Sequence, residues 1–187
     1  AHAGDGPRLL RYFNHIHNSG NRLLQLLNDL LDLSKLDAGQ MRFNLVEHDV
    51  SAIVATAISE MSEHAARQSI TFHIEPTSVD TRVACDRDRM LQVFCNVLAN
   101  ATKFSPPSST VSILFADAAV RVTSHAGSHL VSALAIGVRD RGIGIPEGEL
   151  ELIFDKFAQS SKTKSSAGGT GLGLTICRQI IDGHRGS

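Results

Sequence analysis

Mostly apolar residues recur at alternating steps of three and four along the first part of the chain, as in a helix with one buried seam. The seam positions are Leu9, Tyr12, Ile16, Ser19, Leu23, Leu26, Leu30 and Leu33. Leu24, Leu27 and Leu31 widen the stripe beyond a two-stranded seam. The pattern predicts a helix from Leu9 to Leu36 that packs in a bundle with more than one neighbour and ends at Gly39.

Three more helices are predicted further along. A second helical pattern runs from about Val50 to Arg67, with its apolar residues on one face. A third begins after Asp86, a suitable N-cap, and must stop before Pro106. The last runs from about Gly171 to Ile181.

Strands are predicted between these helices, where apolar and polar residues alternate. A short strand is expected within MRFNLVEHDV, another at SITFHIE, and three more at TVSILFA, AVRVTS and HLVSALAIGVRD. Gly127 is placed in the turn before the last of them. The order of elements predicts an α+β fold in which helices cover one side of a sheet.

Composition narrows the function classes. Apolar residues make up 42% of the 187 residues, charged residues 20%, and the net charge is −1. This balance argues against nucleic acid or a membrane surface as a partner, and no apolar run approaches the ~20 residues of a membrane span. Cys85, Cys95 and Cys177 form no CxxC pair, which predicts thiols in a reducing compartment and no structural zinc.

The first segment with candidate chemistry is CNVLANATKFS, on the third predicted helix. Asn96 and Asn100 are one turn apart and share a face, with Lys103 beside them. Two amides and an ammonium group could meet a metal-bound phosphate chain. For this segment alone, an exposed polar stripe of an amphipathic helix is the commoner explanation.

The second segment is VRDRGIGIP, in which an apolar strand leads to Asp140 and then to Gly142 and Gly144. The glycines allow a ligand to approach the backbone closely. An aspartate in an apolar pocket can accept a hydrogen bond from an exocyclic amine such as that of adenine. The spacing is not that of a Rossmann fingerprint, and such a segment alone is more often a tight turn.

The third segment is GGTGLGL, Gly168 to Leu174, which leads into the last helix. Helix amino termini bind anions, and glycines let a phosphate reach the backbone amides. The GK-Ser/Thr ending of a Walker loop is missing. Four glycines beside a helix start favour an anion site over a linker.

In this order, the segments resemble the N, G1 and G2 boxes of the histidine kinase catalytic domain, with FDKF (Phe154 to Phe157) resembling the F box. The wider family includes gyrase, Hsp90 and MutL. LLQLLNDLLDLSKLDAG resembles the end of the dimerisation hairpin. The resemblance implies that residues 1–38 are the second helix of the dimerisation and histidine phosphotransfer domain. Residues 39–187 would be the ATP-binding catalytic domain, a two-layer α/β sandwich of the Bergerat type with a mixed sheet backed by three helices.

The resemblance also implies ATP and Mg²⁺ as ligands. Asn100 would coordinate Mg²⁺, Lys103 would contact phosphate and Asp140 would bind the adenine amine. Residues from about Lys156 to Gly169 would form a flexible lid. The full set of nucleotide contacts would be Asn96, Asn100, Lys103, Phe104, Asp140, Gly142, Gly144, Thr170, Gly171, Leu172 and Gly173.

One position separates kinases from their hydrolase relatives. The gyrase, Hsp90 and MutL branch has a glutamate one turn before the metal-binding asparagine, where it acts as general base. Here that position is Asn96, which favours transfer of the terminal phosphoryl group to a side chain over hydrolysis. The alternatives are an ATPase of the gyrase and Hsp90 kind, or a non-catalytic module that dimerises and binds nucleotide weakly.

The chain departs from the family pattern in three places. The box around the phosphoacceptor histidine is missing, and His15 and His17 are interpreted as polar positions of a bundle helix. No catalytic residue is therefore assigned, and no self-phosphorylation is expected. In the family two further strands usually follow the last helix. They are expected to be missing from this sequence, which would leave one edge of the sheet unpaired. Between Val111 and Val138 the chain is longer than usual, and AVRVTSHAGS either extends a hairpin or occupies a vacant sheet edge.

The expected partners are those of a two-component signalling kinase. They are the phosphoacceptor dimerisation domain, a response regulator receiver domain and, in the full-length protein, a second copy. The segment is expected in the cytoplasm without membrane contact. The stimulus, the cognate regulator, membrane anchoring of the full-length protein and phosphatase activity stay open.

Overall fold

The computed structural model describes residues 6–124, 127–163 and 169–187. The chain divides into two compact units, Ala1–Met41 and Arg42–Ser187. Within the described ranges, no helix combines the length and the apolar character needed to cross a bilayer.

The first unit contains one long helix, α1, Gly6–Asp37. The helix ends as predicted: Gly39 has a φ of +62°, and the Gln40 amide donates to the Lys35 carbonyl at 2.9 Å. Most of the predicted seam and its flanking leucines are exposed in the single chain, namely Leu9, Tyr12, Ile16, Leu23, Leu24, Leu27, Leu30 and Leu31. An exposed apolar stripe of this extent is typical of a helix that packs in a bundle.

The second unit mixes strands and helices in the predicted order. Its elements are β1 (Val46–Asp49), α2 (Val50–Arg67), β2 (Thr71–Ile74), β3 (Arg82–Cys85), α3 (Arg87–Phe104), β4 (Thr110–Ser124), β5 (Gly127–Arg139) and α4 (Gly173–Gly183). Two short 3₁₀ turns, Glu147–Glu149 and Leu152–Phe154, lie between β5 and α4. The four helices are confirmed, although α4 begins two residues later than predicted.

The strands form two sheets. β1 and β3 pair antiparallel, whereas the larger sheet has the order β2-β4-β5. In it β2 is parallel to β4 and β5 is antiparallel to β4. The predicted α+β class with a mixed sheet is confirmed. The sequence pattern did not indicate β3, because four residues are too short to show an alternation.

The prediction of separate strands at TVSILFA and AVRVTS was wrong, because both belong to β4. Asp117, the one turn-prone residue between them, stays in the ladder opposite Leu134. The extra residues therefore extend the hairpin. β2 pairs with β4 only as far as Ile113, so the distal part is a two-stranded ribbon. Gly127, predicted in the turn, is the first residue of β5, with a φ of +120°.

The core lies between the sheet and the helices. Alternate residues of β4 (Val111, Ile113 and Phe115) are buried, as expected for a sheet covered on one face. They join side chains of α2 and α3, among them Val50, Val54, Phe94 and Leu98. Each fully buried aliphatic side chain contributes about 1.5–3 kcal/mol, so this layer fixes the position of α3 firmly.

The amino terminus of α3 is anchored at the predicted cap, Asp86. Its carboxylate accepts hydrogen bonds from the Arg89 amide at 3.2 Å and the Asn44 amide at 3.0 Å. Burial raises the pKa of Asp86, but the backbone amides outweigh this effect, and its pKa lies below the usual value. The Asp86 amide donates to Nε2 of His184 at 2.9 Å, which ties the start of α3 to the end of α4.

Candidate functional site

One face of α3 carries the polar residues singled out in the sequence. Asn96, Asn100 and Lys103 follow one another at steps of four and three, so their side chains share that face. All three are partly buried. The Lys103 ammonium lies 4.9 Å from the centre of the Phe104 ring, a distance typical of a cation–π contact.

The glycine segment that leads into α4 runs beside this face. A Cβ atom added to Gly173 would lie 3.7 Å from Cγ of Asn96, and one added to Gly169 would lie 3.2 Å from Nζ of Lys103. The two ends of the segment therefore adjoin the two ends of the polar face. Asn100 lies between them on α3, so two of the three sequence segments come together.

Gly171 fits where no other residue fits easily. It has a φ of +69°, and an added Cβ would lie 2.7 Å from the carbonyl carbon of Phe157. The Phe157 amide donates to the Gly171 carbonyl at 3.0 Å. The segment Phe154 to Phe157, called the F segment below, thus packs backbone against backbone with the glycine segment.

The amino terminus of α4 has the features of an anion site. Leu172, at the cap position, makes no side-chain cap hydrogen bond, and its side chain is fully buried. The first amides of a helix have no acceptor within the helix, and they lie at its positive end. Thr170 helps to shape the entry, because its hydroxyl accepts a hydrogen bond from the Leu172 amide at 3.1 Å.

The turn after β5 brings Asp140 to the carboxyl end of α3. Oδ1 of Asp140 accepts a hydrogen bond from the Gly142 amide at 2.7 Å. An added Cβ at Gly142 would lie 2.8 Å from the Phe104 carbonyl oxygen, so only glycine fits there. The Asp140 side chain is exposed in this structure, because β5 ends just before it.

Gly144 has a φ of +66°, and an added Cβ would meet open space. The neighbouring Ile143 carbonyl accepts a hydrogen bond from Nζ of Lys162 at 2.9 Å. The described part of the predicted lid thus touches the glycine turn that follows Asp140. Gly168 and residues 164–167 of that lid lie outside the described residues.

Three residues at the site were not singled out in the sequence: Gln159, Lys162 and Arg178. The Arg178 guanidinium lies 5.4 Å from the centre of the Phe154 ring and 3.3 Å from the Glu151 carboxylate. These two contacts of Arg178 hold the F segment against α4. No local pattern marks these residues, since isolated polar side chains in loops and on exposed helix faces are common.

The arrangement fits a nucleoside triphosphate with Mg²⁺. The uncapped start of α4 and the Lys103 ammonium suit phosphate oxygens. Gly142 and Gly171 allow the close contacts with the Phe104 and Phe157 backbones that bring these segments together. The Asn100 side-chain oxygen is a hard ligand of the kind Mg²⁺ accepts.

Two family models match the chain. Residues 85–187 match the family described as histidine kinase-, DNA gyrase B- and HSP90-like ATPase. Residues 3–39 match the His Kinase A (phospho-acceptor) domain. The first match contains α3, the turn after β5 and the glycine segment, and thus the whole candidate site.

Among curated proteins, the circadian input-output histidine kinase CikA of Synechococcus elongatus is 33% identical over 96% of this chain and 22% of its own length. The sensor histidine kinase WalK of Bacillus subtilis is 32% identical over 94% of this chain and 27% of its own. The chain thus spans about a quarter of the length of these relatives.

Among solved structures, the mycobacterial sensor histidine kinase MprB superposes with a TM-score of 0.60. It is 25% identical, and the match covers 76% of this chain and 82% of that one. The resemblance inferred from the four motifs is confirmed, and the chain belongs to the family of histidine kinase-, DNA gyrase B- and HSP90-like ATPases.

Proposed function

We propose that this chain is the ATP-binding catalytic portion of a sensor histidine kinase, which transfers the γ-phosphoryl group of ATP to a histidine for relay to a response regulator aspartate. The observation that carries this proposal is the placement of Asn96 and Lys103 against the two ends of the glycine segment, at the start of α4. The histidine kinases CikA and WalK, to which the chain is similar, support it further.

Each part of the site has a role in this proposal. Asp140 accepts a hydrogen bond from the adenine amine, while the Gly142 amide holds its carboxylate in place. The first amides of α4 and the Lys103 ammonium bind the phosphates. Mg²⁺, held by Asn100, neutralises phosphate charge when bound. Catalysis then rests on positioning and charge neutralisation, the main factors in phosphoryl transfer.

The identity of Asn96 favours phosphoryl transfer over hydrolysis. Its amide group lies beside Gly173, the first residue of α4, next to the proposed phosphate region. An amide oxygen does not take up a proton near neutral pH, so Asn96 cannot serve as the general base that the hydrolase branch carries at this position. Bound ATP is therefore preserved until a histidine side chain reaches its terminal phosphorus.

The same proposal covers the organisation of the chain. Residues 1–38 are the second helix of the dimerisation and phosphotransfer domain, and residues 39–187 are the catalytic domain. The exposed apolar stripe of α1 supports assembly into a bundle with a second copy in the full-length protein. The partners are the phosphoacceptor domain and a response regulator, and the location is cytoplasmic.

The fate of the γ-phosphate distinguishes the kinase from an ATPase. The chain is incubated with γ-labelled ATP and Mg²⁺, together with the phosphoacceptor hairpin of the full-length protein as a separate polypeptide. We expect label on a histidine of the hairpin and free phosphate at the level of a protein-free control. Steady release of phosphate without labelling of the hairpin would favour the ATPase alternative.

A further inference from the structure

The two ends of the predicted lid are joined by a pair of hydrogen bonds. The Phe157 amide donates to the Gly171 carbonyl at 3.0 Å, and Nε2 of Gln159 donates to the Gly169 carbonyl at 2.7 Å. Gln159 lies two residues after Phe157, whereas its partner Gly169 lies two residues before Gly171. The two segments therefore run antiparallel, and in the second of these bonds a side chain acts as the donor.

The Gln159 bond determines the orientation of the next peptide group. In a planar trans peptide, the carbonyl of one residue and the amide of the following residue point in opposite directions. Because the Gly169 carbonyl points towards Gln159, the Thr170 amide points away from it. Glycine neighbours impose little conformational restriction of their own, so this hydrogen bond removes freedom that the sequence leaves open.

The glycine segment also adjoins the polar face of α3. An added Cβ at Gly169 would lie 3.2 Å from Nζ of Lys103, and one at Gly173 would lie 3.7 Å from the Asn96 amide group. The glycine segment thus contacts both the Gln159 side chain and the polar face of α3. The Thr170 amide points away from Gln159 and follows Gly169, the residue that adjoins Lys103.

We propose that Gln159 is a positioning residue that orients the Thr170 amide towards the phosphates and so sets how strongly the site distinguishes ATP from adenosine. This inference rests on the proposed function of the site. Gln159 touches neither nucleotide nor metal in it. Its amide acts through the Gly169 carbonyl, and its loss affects the phosphate end of the ligand alone.

Two substitutions separate the hydrogen bond from side-chain volume. Gln159→Met keeps the size but removes the donor, and Gln159→Glu keeps the shape but replaces the donor with a carboxylate. Gln68→Met, at the end of α2, is the matched control. Calorimetric titration of each protein with ATP and Mg²⁺, and separately with adenosine, gives the two affinities, and thermal melting shows that each variant is folded.

We expect Gln159→Met to weaken ATP binding about tenfold, the usual effect of one lost hydrogen bond. Gln159→Glu weakens it further, because its charge repels both the Gly169 carbonyl and the phosphates. Adenosine affinity stays within about twofold of wild type in both, and Gln68→Met binds both ligands normally. In nitrogen-proton spectra, the change that ATP causes at the Thr170 amide shrinks in Gln159→Met.

Two results would overturn the inference while leaving the proposed function intact. They are wild-type ATP affinity in both Gln159 variants, or an equal loss of ATP and adenosine affinity. Failure of the folded wild-type protein to bind ATP would overturn the proposed function itself, and the inference with it.

Discussion

Replacement of Asp140 by asparagine is expected to weaken ATP binding by about 10- to 100-fold, the effect of losing a charged hydrogen-bond partner. An asparagine oxygen can still accept the Gly142 amide, which donates to Oδ1 of Asp140 at 2.7 Å. The turn therefore keeps its shape. The lost affinity reports the contact with the adenine amine rather than a collapsed loop.

Calorimetric titration with ATP and Mg²⁺ measures this effect, and Asp117→Asn serves as the control. Asp117 is exposed on β4, opposite Leu134, and lies outside the candidate site. The control is expected to bind ATP as wild type does. Unchanged affinity in Asp140→Asn would show that adenine is held by other groups.

Gly171→Ala is expected to lower the free energy of unfolding by about 2–4 kcal/mol. Two costs add at this position. The φ of +69° disfavours any residue with a Cβ, and that Cβ would lie 2.7 Å from the carbonyl carbon of Phe157. A backbone neighbour cannot rotate away, so the F segment and the start of α4 must separate. ATP binding is lost together with their alignment.

Gly144→Ala is a close match for comparison. Its φ is +66°, but the added Cβ would meet open space. It carries only the cost of the left-handed backbone, about 1 kcal/mol. Urea unfolding of the two variants therefore separates the cost of the left-handed backbone from the cost of steric overlap with Phe157. Equal losses of stability would mean that overlap of the added Cβ with Phe157 adds no cost at position 171.

Much of the fold was predictable because the helices are long and periodic. The predicted bounds of α2, Val50 to Arg67, match the structure, and Asp86 caps α3 as predicted. Strand predictions were weaker where the signal is short or continuous. β3 has only four residues, and in β4 the turn-prone Asp117 interrupts a strand pattern that the structure shows to be continuous.

The candidate site was predictable as far as its motifs are local. Helical spacing places Asn96, Asn100 and Lys103 on one face, and the glycines indicate a close backbone approach. The pairing of Gly171 with Phe157 and of Gln159 with Gly169 depends on how the chain folds back between distant positions. The exposure of Asp140 depends on where β5 ends, which alternation alone does not determine.

The most direct test of the central claim is calorimetric titration of the unmodified chain with ATP, first with Mg²⁺ and then with EDTA in excess. We expect one ATP to bind per chain in the presence of Mg²⁺ and binding to weaken severalfold without the metal, because Asn100 and the phosphates then lose their shared cation. A folded chain that binds no ATP under either condition would contradict the claim that α3, the turn after β5 and the start of α4 form one nucleotide site.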